Sequence, residues 1–305
     1  MSRCNRWSSV CLLLALLFVG TTLSSSARGA DFLRGDADAS GRLDVTDAIR
    51  VLDYLFRGAG ESLSCKDAGD ADDNGQIELS DAVFLLQALF QKGGSPPEPF
   101  PFCGADPTAD QLDCAWWAEC PPLLEYFGIE FQAGFVAFVI DRSGTQSDTG
   151  ELGKSKGATA ATIDSLPDGV QFGVCFVDRS LLKFPSGGTP ADANPDMRAA
   201  GVAFVQNTSG GSGSCDIPGL LAAIDMARLA SSQERVIFYV GDGGGTCSGQ
   251  QEADYLVEMR RAVTEANAGI ARIHTVATGP ISGLNEQHMK ELAAENRGAF
   301  HEAPN

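Results

Sequence analysis

The sequence predicts a multidomain protein with two folded units of different class. One is a small α-helical unit built on paired acidic loops, and the other is a doubly wound, Rossmann-like α/β unit. The first is indicated by a loop-and-helix segment that begins at Gly35 and recurs at Gly69. The second is indicated by short apolar runs that alternate with helix-like stretches from Gly134 onward, which is the pattern of a parallel sheet covered by helices.

The first 30 residues have the layout of a secretory signal peptide. A basic segment at Arg3 precedes an apolar run, VCLLLALLFVG, and small residues follow it. This order is typical of a leader that is removed on export. We expect cleavage after Ala27 or Ala30, and we prefer Ala27 because cleavage after Ala30 would place the bulky Arg28 at the −3 position.

Composition divides the rest of the chain into three segments. Residues 31–94 contain the repeated loops, residues 95–133 form a linker rich in proline and cysteine, and residues 134–305 form the α/β unit. The formal net charge of −18 would repel a phosphate backbone, so a nucleic-acid partner is not expected. No stretch after the leader is long and apolar enough to span a membrane. We therefore expect a protein that is secreted, extracellular or held in the cell envelope.

Each repeat begins with a loop whose oxygen-bearing residues have the spacing of a calcium loop. Position 6 is Gly41 in the first loop and Gly75 in the second, where the sharp turn needs a backbone angle that other residues resist. Positions 1, 3, 5, 9 and 12 offer side-chain oxygens, and position 7 offers its carbonyl. The candidate ligands are Asp36, Asp38, Ser40, Arg42, Asp44 and Asp47 in the first loop, and Asp70, Asp72, Asn74, Gln76, Glu78 and Asp81 in the second. The sequence therefore predicts two Ca²⁺ sites.

A helix with one apolar stripe follows each loop. The apolar positions of the first helix recur in the second, and we expect them to form the core of the unit rather than a ligand site. They are Ile49, Leu52, Leu55 and Phe56 in the first helix, and Val83, Leu86, Leu89 and Phe90 in the second.

The unit of one loop and one helix, used twice with aspartate at position 12, resembles a type I dockerin module of the style found in planctomycete secreted proteins. No entering helix precedes either loop, which argues against a complete EF-hand. The resemblance implies an extracellular or cell-surface protein partner, with a cohesin-like protein as one candidate. Dockerins contact cohesins through loop positions 10 and 11, which here are Val45–Thr46 and Leu79–Ser80. The helix positions that are often basic in cellulosomal dockerins are Leu52–Asp53 and Leu86–Gln87, so this chain departs from that pattern.

The cysteines indicate an oxidising compartment. Those beyond the leader are Cys65, Cys103, Cys114, Cys120, Cys175, Cys215 and Cys247. Export favours pairing, but an odd number leaves at least one cysteine that is either free or paired with another chain. We expect Cys175, inside the apolar run VQFGVCFV, to be a buried thiol. In and around the linker we expect Cys65 to pair with Cys103, and Cys114 with Cys120.

The C-terminal unit is predicted from four buried strands and the helices between them. The apolar runs GFVAFVI, VQFGVCFV, RVIFYV and ARIHTVAT are interpreted as parallel strands. The predicted helices cover residues 154–165, 217–230, 251–268 and 285–297. The first strand leads into Asp141, followed by Ser143 and Thr145, and the RVIFYV strand leads into Asp242. The strands are expected to be parallel, so both carboxylates should lie at the same edge of the sheet, beyond the carboxyl ends of the strands. Ligands bind at that edge in such sheets.

This arrangement resembles the metal-ion-dependent adhesion site (MIDAS) of the von Willebrand factor type A domain. The resemblance implies one Mg²⁺ site held by Asp141, Ser143, Thr145 and Asp242, with a coordination position open for a partner's carboxylate. The family's separate threonine aligns with Cys215 in the segment GSCDI. Either Ser214 substitutes for it, or Cys215 pairs with Cys247 and weakens the metal site.

The residues favour a binding protein over an enzyme. The only histidines are His274, His288 and His301, and neither a catalytic triad nor a GxSxG motif is recognisable. We therefore expect a calcium-binding protein that mediates extracellular adhesion or protein–protein interaction. The alternatives are a structural component of an extracellular assembly with a degenerate metal site and, with less support, a metal-dependent hydrolase.

Overall fold

The computed structural model describes residues 30–57, 62–91, 93–117, 120–247 and 249–304. The predicted signal peptide, apart from Ala30, and its predicted cleavage after Ala27 fall outside these residues. Of the helices within them, none has the length and hydropathy that a membrane span requires.

The N-terminal residues form a small helical unit, which we call the loop module (residues 30–57 and 62–91). Its helices are α1 (Val45–Arg57), α2 (Lys66–Gly69) and α3 (Leu79–Phe90). The duplicated sequence gives a duplicated core, because Ala48 and Val51 of α1 pack with Ala82 and Leu85 of α3. The two long helices therefore stabilise each other, as neither could bury its apolar stripe alone.

Part of the predicted helix core is exposed. The exposed fractions are 51% for Ile49, 74% for Phe56, 43% for Val83 and 70% for Phe90. The α1–α3 contact is centred on the small Ala48 and Ala82 with Val51 and Leu85, so it covers only one stripe of each helix. Leu52, Leu55 and Leu86 lie beside this stripe and are partly buried. The prediction of core positions was therefore wrong for the two phenylalanines, Ile49 and Val83.

Residues 93–117, which we call the tail segment, pack against the loop module. Phe32 and Gly104 exchange two backbone hydrogen bonds of 2.9 Å. The buried Arg34 donates through Nε to the carbonyl of Glu98 at 2.8 Å. Thr108 of the tail segment donates to the Asp73 carboxylate at 2.7 Å. The proline-rich segment is therefore held by specific contacts with the loop module.

The disulfides near the tail segment differ from the expected pairs. The structure pairs Cys65 with Cys114 and Cys103 with Cys120. Cys65 and Cys114 face each other in an antiparallel bridge, which the bond from the Lys66 amide to the Asp113 carbonyl extends. Cys65 thus meets the end of the tail segment rather than its middle. This bridge depends on tertiary contact and is not encoded in the cysteine spacing.

A β-hairpin precedes the large sheet and lies within residues 95–133. Its strands are β1 (Leu123–Tyr126) and β2 (Ile129–Gln132), and they pair antiparallel. Tyr126 and Phe131 are buried in the core of the C-terminal unit. The hairpin therefore packs with the sheet that follows it, and the chain reaches that unit earlier than composition suggested.

The large sheet has seven strands in the order β5-β4-β3-β7-β8-β9, with β6 also paired to β4. The strands are β3 (Phe135–Asp141), β4 (Gln171–Val177), β5 (Leu181–Phe184), β6 (Ala191–Asp192), β7 (Arg235–Gly241), β8 (Arg272–Ala277) and β9 (Phe300–Glu302). The ladders from β4 through β3, β7 and β8 to β9 are parallel, whereas β5 and β6 pair antiparallel with β4. The four predicted strands are confirmed, and β5 and β6 were not anticipated.

Helices cover both faces of this sheet. They are α4 (Gly144–Asp148), α5 (Glu151–Ser165), α6 (Pro195–Asn207), α7 (Ile217–Leu229), α8 (Glu252–Asn267) and α9 (Gly283–Glu295). One face packs α5, α6 and the hairpin, and the other packs α7, α8 and α9. The α/β class predicted for this part of the chain is confirmed by this arrangement, although α6 was not predicted.

Alternation along β3 explains why both faces need cover. Val136 and Phe138 face one core, whereas Ala137 and Val139 face the other. Cys175 of β4 is buried and unpaired, as expected, and burial raises the pKa of its thiol to about 12.

Two leucines of α7 give a matched test of this packing. Leu220 is completely buried against the sheet, whereas Leu229 of the same helix is 63% exposed. We predict that Leu220→Ala lowers the free energy of unfolding of the C-terminal unit by about 2–5 kcal/mol. Leu229→Ala should change it by about 0.5 kcal/mol or less. Denaturant unfolding of both variants measures the difference, and equal effects would contradict the orientation of α7.

Candidate metal sites

The parallel register of β3 and β7 determines the first candidate site. Ile140 is the register partner of Val240, so Asp141 and Asp242 leave adjacent strands at the same edge. Ser143 and Thr145 follow β3 in the turn that begins α4. The sequence therefore places two carboxylates and two hydroxyls at the carboxyl ends of neighbouring strands, where open α/β sheets bind ligands.

These side chains form one line of close polar contacts. Ser143 donates from Oγ to Asp141 Oδ2 at 2.9 Å and from its amide to Asp141 Oδ1 at 2.8 Å. The Ser143 and Thr145 hydroxyls are 3.0 Å apart, and Thr145 donates to Asp242 Oδ2 at 2.9 Å. The structure thus brings together the four residues that the MIDAS-like pattern predicted.

The remaining predicted residue, Ser214, lies beside this line rather than in it. Its hydroxyl donates to the Gly244 carbonyl at 2.8 Å and lies 3.3 Å from Asp216 Oδ2. Cys215 and Cys247 form a disulfide, so the pairing expected from the sequence is present. The bridge joins the loop before α7 to the loop after β7. It keeps both loops at the site, and it leaves residue 215 with a disulfide sulfur where the resemblance implies a threonine hydroxyl.

The sequence did not identify Asp216 as a candidate ligand. This carboxylate is completely buried, and Oδ2 accepts from the Tyr239 hydroxyl at 2.8 Å. Oδ1 is buried without a hydrogen-bond partner among the described residues. An acidic residue that directly precedes a helix at the same sheet edge is the signal that could have revealed it.

Burial and like charge dominate the electrostatics of this edge. Burial, with the nearby charge of Asp216, raises the pKa of Asp141 to about 8. Burial also raises the pKa of Asp216 to about 7, although hydrogen bonds from Tyr239 and Ser214 oppose the shift. Three neighbouring carboxylates with one unpartnered oxygen are an environment that a divalent cation would stabilise.

The site opens into a cleft of about 480 Å³. Its lining residues are Ser143, Gly144, Thr145, Gly213, Ser214, Asp242, Gly244, Gly245, Glu252 and Asn285. The side chains of Glu252 and Asn285 were not singled out from the sequence, because they come from α8 and α9. All polar groups of the Asp141–Asp242 line are oxygens, which suits a hard cation such as Mg²⁺. The residues present therefore fit a divalent ion with open coordination.

The two loops of the loop module form a second and a third candidate site. Oxygens of Asp36, Asp38 and Asp47 lie within 4.8 Å of one another, and so do those of Asp70, Asp72 and Asp81. Gly41 and Gly75 both adopt φ of 82°, the left-handed conformation that the calcium-loop pattern predicted. The same hydrogen bonds recur in each loop. The Gly41 amide donates to Asp36 at 2.7 Å, and the Gly75 amide to Asp70 at 2.8 Å.

Not every predicted loop ligand faces its cluster. Ser40 lies 3.4 Å from Asp36 and 3.3 Å from the Arg42 carbonyl, so positions 5 and 7 of the first loop are at the site. Asp44 instead accepts from Thr46. In the second loop, Asn74 accepts from the Gln76 amide, and Glu78 accepts from Ser80. Positions 1, 3 and 12 are therefore the side chains that the structure gathers in both loops.

Burial of these aspartates changes their protonation. Burial, with the charge of Asp47, raises the pKa of Asp36 to about 8. Burial also raises the pKa of Asp47 to about 7 and that of Asp81 to about 6. The carboxylates of each loop repel one another, and an ion with several oxygen ligands would remove that repulsion. The residues present therefore fit one calcium ion in each loop.

The histidines lie apart from these sites. His274 of β8 stacks on Phe238, with Nδ1 3.3 Å from Nε2 of His301. His288 is buried in α9. Burial lowers the pKa of His274 and of His288 to about 4, so both rings are neutral at pH 7. None of the three lines the cleft at Asp242.

The C-terminal part is similar to solved von Willebrand factor type A structures. A von Willebrand factor type A structure from Catenulispora acidiphila is 21% identical, with a TM-score of 0.49 over 58% of this chain and 40% of its own. The von Willebrand factor domain of the type V pili tip protein Mfa5 from Porphyromonas gingivalis is 11% identical, with a TM-score of 0.45 over 55% of this chain and 89% of its own. A D319A mutant of the PilB minor pilin from Streptococcus sanguinis is 10% identical, with a TM-score of 0.45 over 58% of this chain and 59% of its own.

This chain spans less than two thirds of the Catenulispora and Streptococcus chains. No protein-family model matches the sequence, and the search of curated proteins found no match. The strand order and the two helical layers establish the α/β fold of the C-terminal part. The similarities add no information about its activity or partners, and the dockerin resemblance stays a prediction.

The pKa values of the first loop predict opposite pH responses with and without calcium. The folded-state values of Asp36 and Asp47, about 8 and about 7, exceed the unfolded value of about 4. Without metal, the stability that protonation contributes is complete below about pH 4 and is lost as the pH rises to about 8. In chelator, the loop module should therefore melt at a higher temperature at pH 5 than at pH 8. In saturating calcium the order should reverse, because protons compete with the ion.

Circular dichroism melts of the intact chain measure both responses. Asp36→Asn should reduce the pH dependence in chelator, whereas Asp31→Asn, at an exposed residue, should leave it unchanged. A metal-free loop module that melts at the same temperature at both pH values would contradict the prediction.

Proposed function

We propose that this protein binds an extracellular protein partner through a divalent metal ion held at the Asp141–Asp242 edge of the sheet. The observation that carries the proposal is the line of two carboxylates and two hydroxyls, each within 3.0 Å of the next, that opens into a cleft. Asp141, Ser143, Thr145 and Asp242 would hold Mg²⁺, with Asp216 behind them. When bound, the ion supplies a Lewis-acidic coordination position that accepts a carboxylate oxygen from the partner.

The chemistry of the cleft supports binding over catalysis. Ser143 is hydrogen-bonded to Asp141, and Thr145 to Asp242, so each hydroxyl contacts a carboxylate and no imidazole. A nucleophilic serine or threonine needs an adjacent base with a pKa near the operating pH. The raised pKa of Asp141 belongs to a buried group that would lose its proton when a cation binds. A metal-dependent hydrolase, which would need a general base for its metal-bound water, is the weaker proposal because no histidine of the described residues lines the cleft.

The Cys215–Cys247 disulfide supports a rigid site. It connects the loops that carry Ser214 and Gly244, which also share the Ser214–Thr246 bridge. A preorganised loop loses less conformational entropy when a partner docks. The same disulfide also suits the alternative of a structural component whose metal site is degenerate, because it replaces a hydroxyl donor. Metal titration separates these two proposals.

In the same proposal, the loop module also takes part in protein interaction outside the cytoplasm. Two calcium ions would hold its loops, and the module would keep a dockerin-like role in protein interaction. Phe56 and Phe90, at equivalent positions of the two repeats, are exposed apolar side chains of the kind found at protein interfaces. The three disulfides favour an oxidising compartment. A cohesin partner is not part of this proposal.

Manganese is the probe that tests the metal site, because it substitutes for Mg²⁺ and relaxes water protons. We predict that the calcium-saturated intact chain binds one Mn²⁺ that Asp242→Asn does not bind. The relaxation enhancement of bound Mn²⁺ should fall when excess acetate is added, since a carboxylate would replace coordinated water. Asp225→Asn removes the same charge from an exposed residue of α7 and should bind Mn²⁺ as the unchanged chain does.

The outcomes separate the proposals. Equal Mn²⁺ binding by the unchanged chain and by Asp242→Asn would reject the site. Binding without any response to acetate would contradict the open coordination position, and failure of the unchanged chain to bind Mn²⁺ at this site would support the structural alternative with a degenerate metal site.

A further inference from the structure

A further acidic cluster lies outside the two calcium loops. Oxygens of Asp67, Asp106 and Asp110 come within 4.8 Å of one another. Asp67 belongs to the short helix α2, whereas Asp106 and Asp110 belong to the tail segment. The cluster therefore joins two parts of the chain that only the fold brings together.

The guanidinium of Arg34 contacts only one carboxylate of the cluster, that of Asp106. Nε donates to the Glu98 carbonyl, and Nη1 donates to the carbonyls of Asp67 and Asp70. Nη2 donates to Asp106 Oδ1 at 2.7 Å and lies 3.0 Å from Asp73 Oδ1. A guanidinium has five N–H donors, and these contacts surround it on every side. None of these contacts of Arg34 goes to the side-chain carboxylates of Asp67 and Asp110.

Asp67 provides the observation that distinguishes this cluster from an ordinary acidic surface. The residue is only 5% exposed, and its Oδ1 is buried without a hydrogen-bond partner among the described residues. A buried carboxylate oxygen without a donor is costly unless a cation neutralises it. This oxygen is part of the Asp67 carboxylate, which forms the cluster with Asp106 and Asp110.

We propose that Asp67, Asp106 and Asp110 bind a third calcium ion between α2 and the tail segment. Two oxygens that share one calcium ion at about 2.4 Å can be no more than about 4.8 Å apart, and the three side chains meet this limit. The donors are all oxygens, which excludes the nitrogen and sulfur ligands that zinc prefers. Calcium accepts irregular carboxylate geometry more readily than magnesium, which requires a near-ideal octahedron.

The site is separate from the second loop but adjacent to it. Asp110 also lies within 4.8 Å of Asp70 and Asp73, and Asp70 is the first ligand of that loop. Occupation of the third site would join the tail segment to the loop module close to the Cys65–Cys114 disulfide. Calcium would then fix the start of the chain that leads to the C-terminal unit, as well as the two loops.

The test counts calcium ions bound to the intact, oxidised chain. The protein is stripped with chelator and dialysed against calcium, and bound metal is measured by atomic absorption. Asp67→Asn and Asp110→Asn should each bind one calcium ion fewer than the unchanged chain. The matched control is Asp113→Asn, which removes the same charge from a side chain that is 70% exposed and lies near the cluster but not in it. It should bind the same number of ions as the unchanged chain.

A double variant shows whether the ion belongs to the second loop. Asp72→Ala alone should lose the ion of that loop, and Asp67→Asn combined with Asp72→Ala should lose two. Loss of only one ion by the double variant would mean that Asp67 serves the loop site, and would overturn the proposal. These comparisons also separate it from the proposed loop sites, since Asp38→Ala and Asp72→Ala report on the loops independently.

Two measurements check that each variant is folded: its helical circular dichroism signal and its Cys65–Cys114 pairing. If Asp67→Asn fails to fold, Asp110→Asn decides, because Asp110 is an exposed residue. A folded Asp110→Asn variant that keeps the full number of ions would overturn the proposal.

Discussion

Repulsion between buried carboxylates is the constraint on which both units of this protein depend. Asp36 and Asp47 are buried together in the first loop, and Asp141 lies near Asp216 at the edge of the sheet. Burial raises the pKa of each of these groups, and the charges of neighbouring carboxylates raise it further. Acidic side chains also outnumber basic ones over the whole chain, with a net charge of −18. Divalent ions are the physical solution that its oxygen-rich sites suit.

The two units build such sites in different ways. In the loop module, local spacing gathers the oxygens, and Gly41 allows the turn that brings Asp36 and Asp47 together. In the C-terminal unit, the parallel pairing of β3 and β7 brings Asp141 and Asp242 to one edge from distant positions. The first site would form with its loop, whereas the second needs the whole sheet. Loss of metal should therefore loosen the loop module more than the sheet.

The tail segment and the disulfides decide how these sites are supported. Cys65–Cys114 and the contacts of Arg34 hold the tail segment on the loop module. Cys215–Cys247 holds the loops at the sheet edge. Both bridges join segments that lie far apart in sequence, so they restrict the unfolded chain as well as the folded one. Rigid support of this kind favours binding, because less order must be gained when a partner docks.

Short-range patterns in the sequence determined the α/β class, the four central strands and the spacing of both acidic loops, because strand burial and loop geometry depend on neighbouring residues. The residues of the Asp141–Asp242 line were also predictable, since each lies at or shortly after the end of β3 or β7. Only the tertiary structure decided the pairing of Cys65 with Cys114, the exposure of Phe56 and Phe90, and the burial of Asp216. The meeting of Asp67 with Asp110 likewise depends on how the tail segment packs. These features arise from contacts between distant segments, which no local pattern in the chain records.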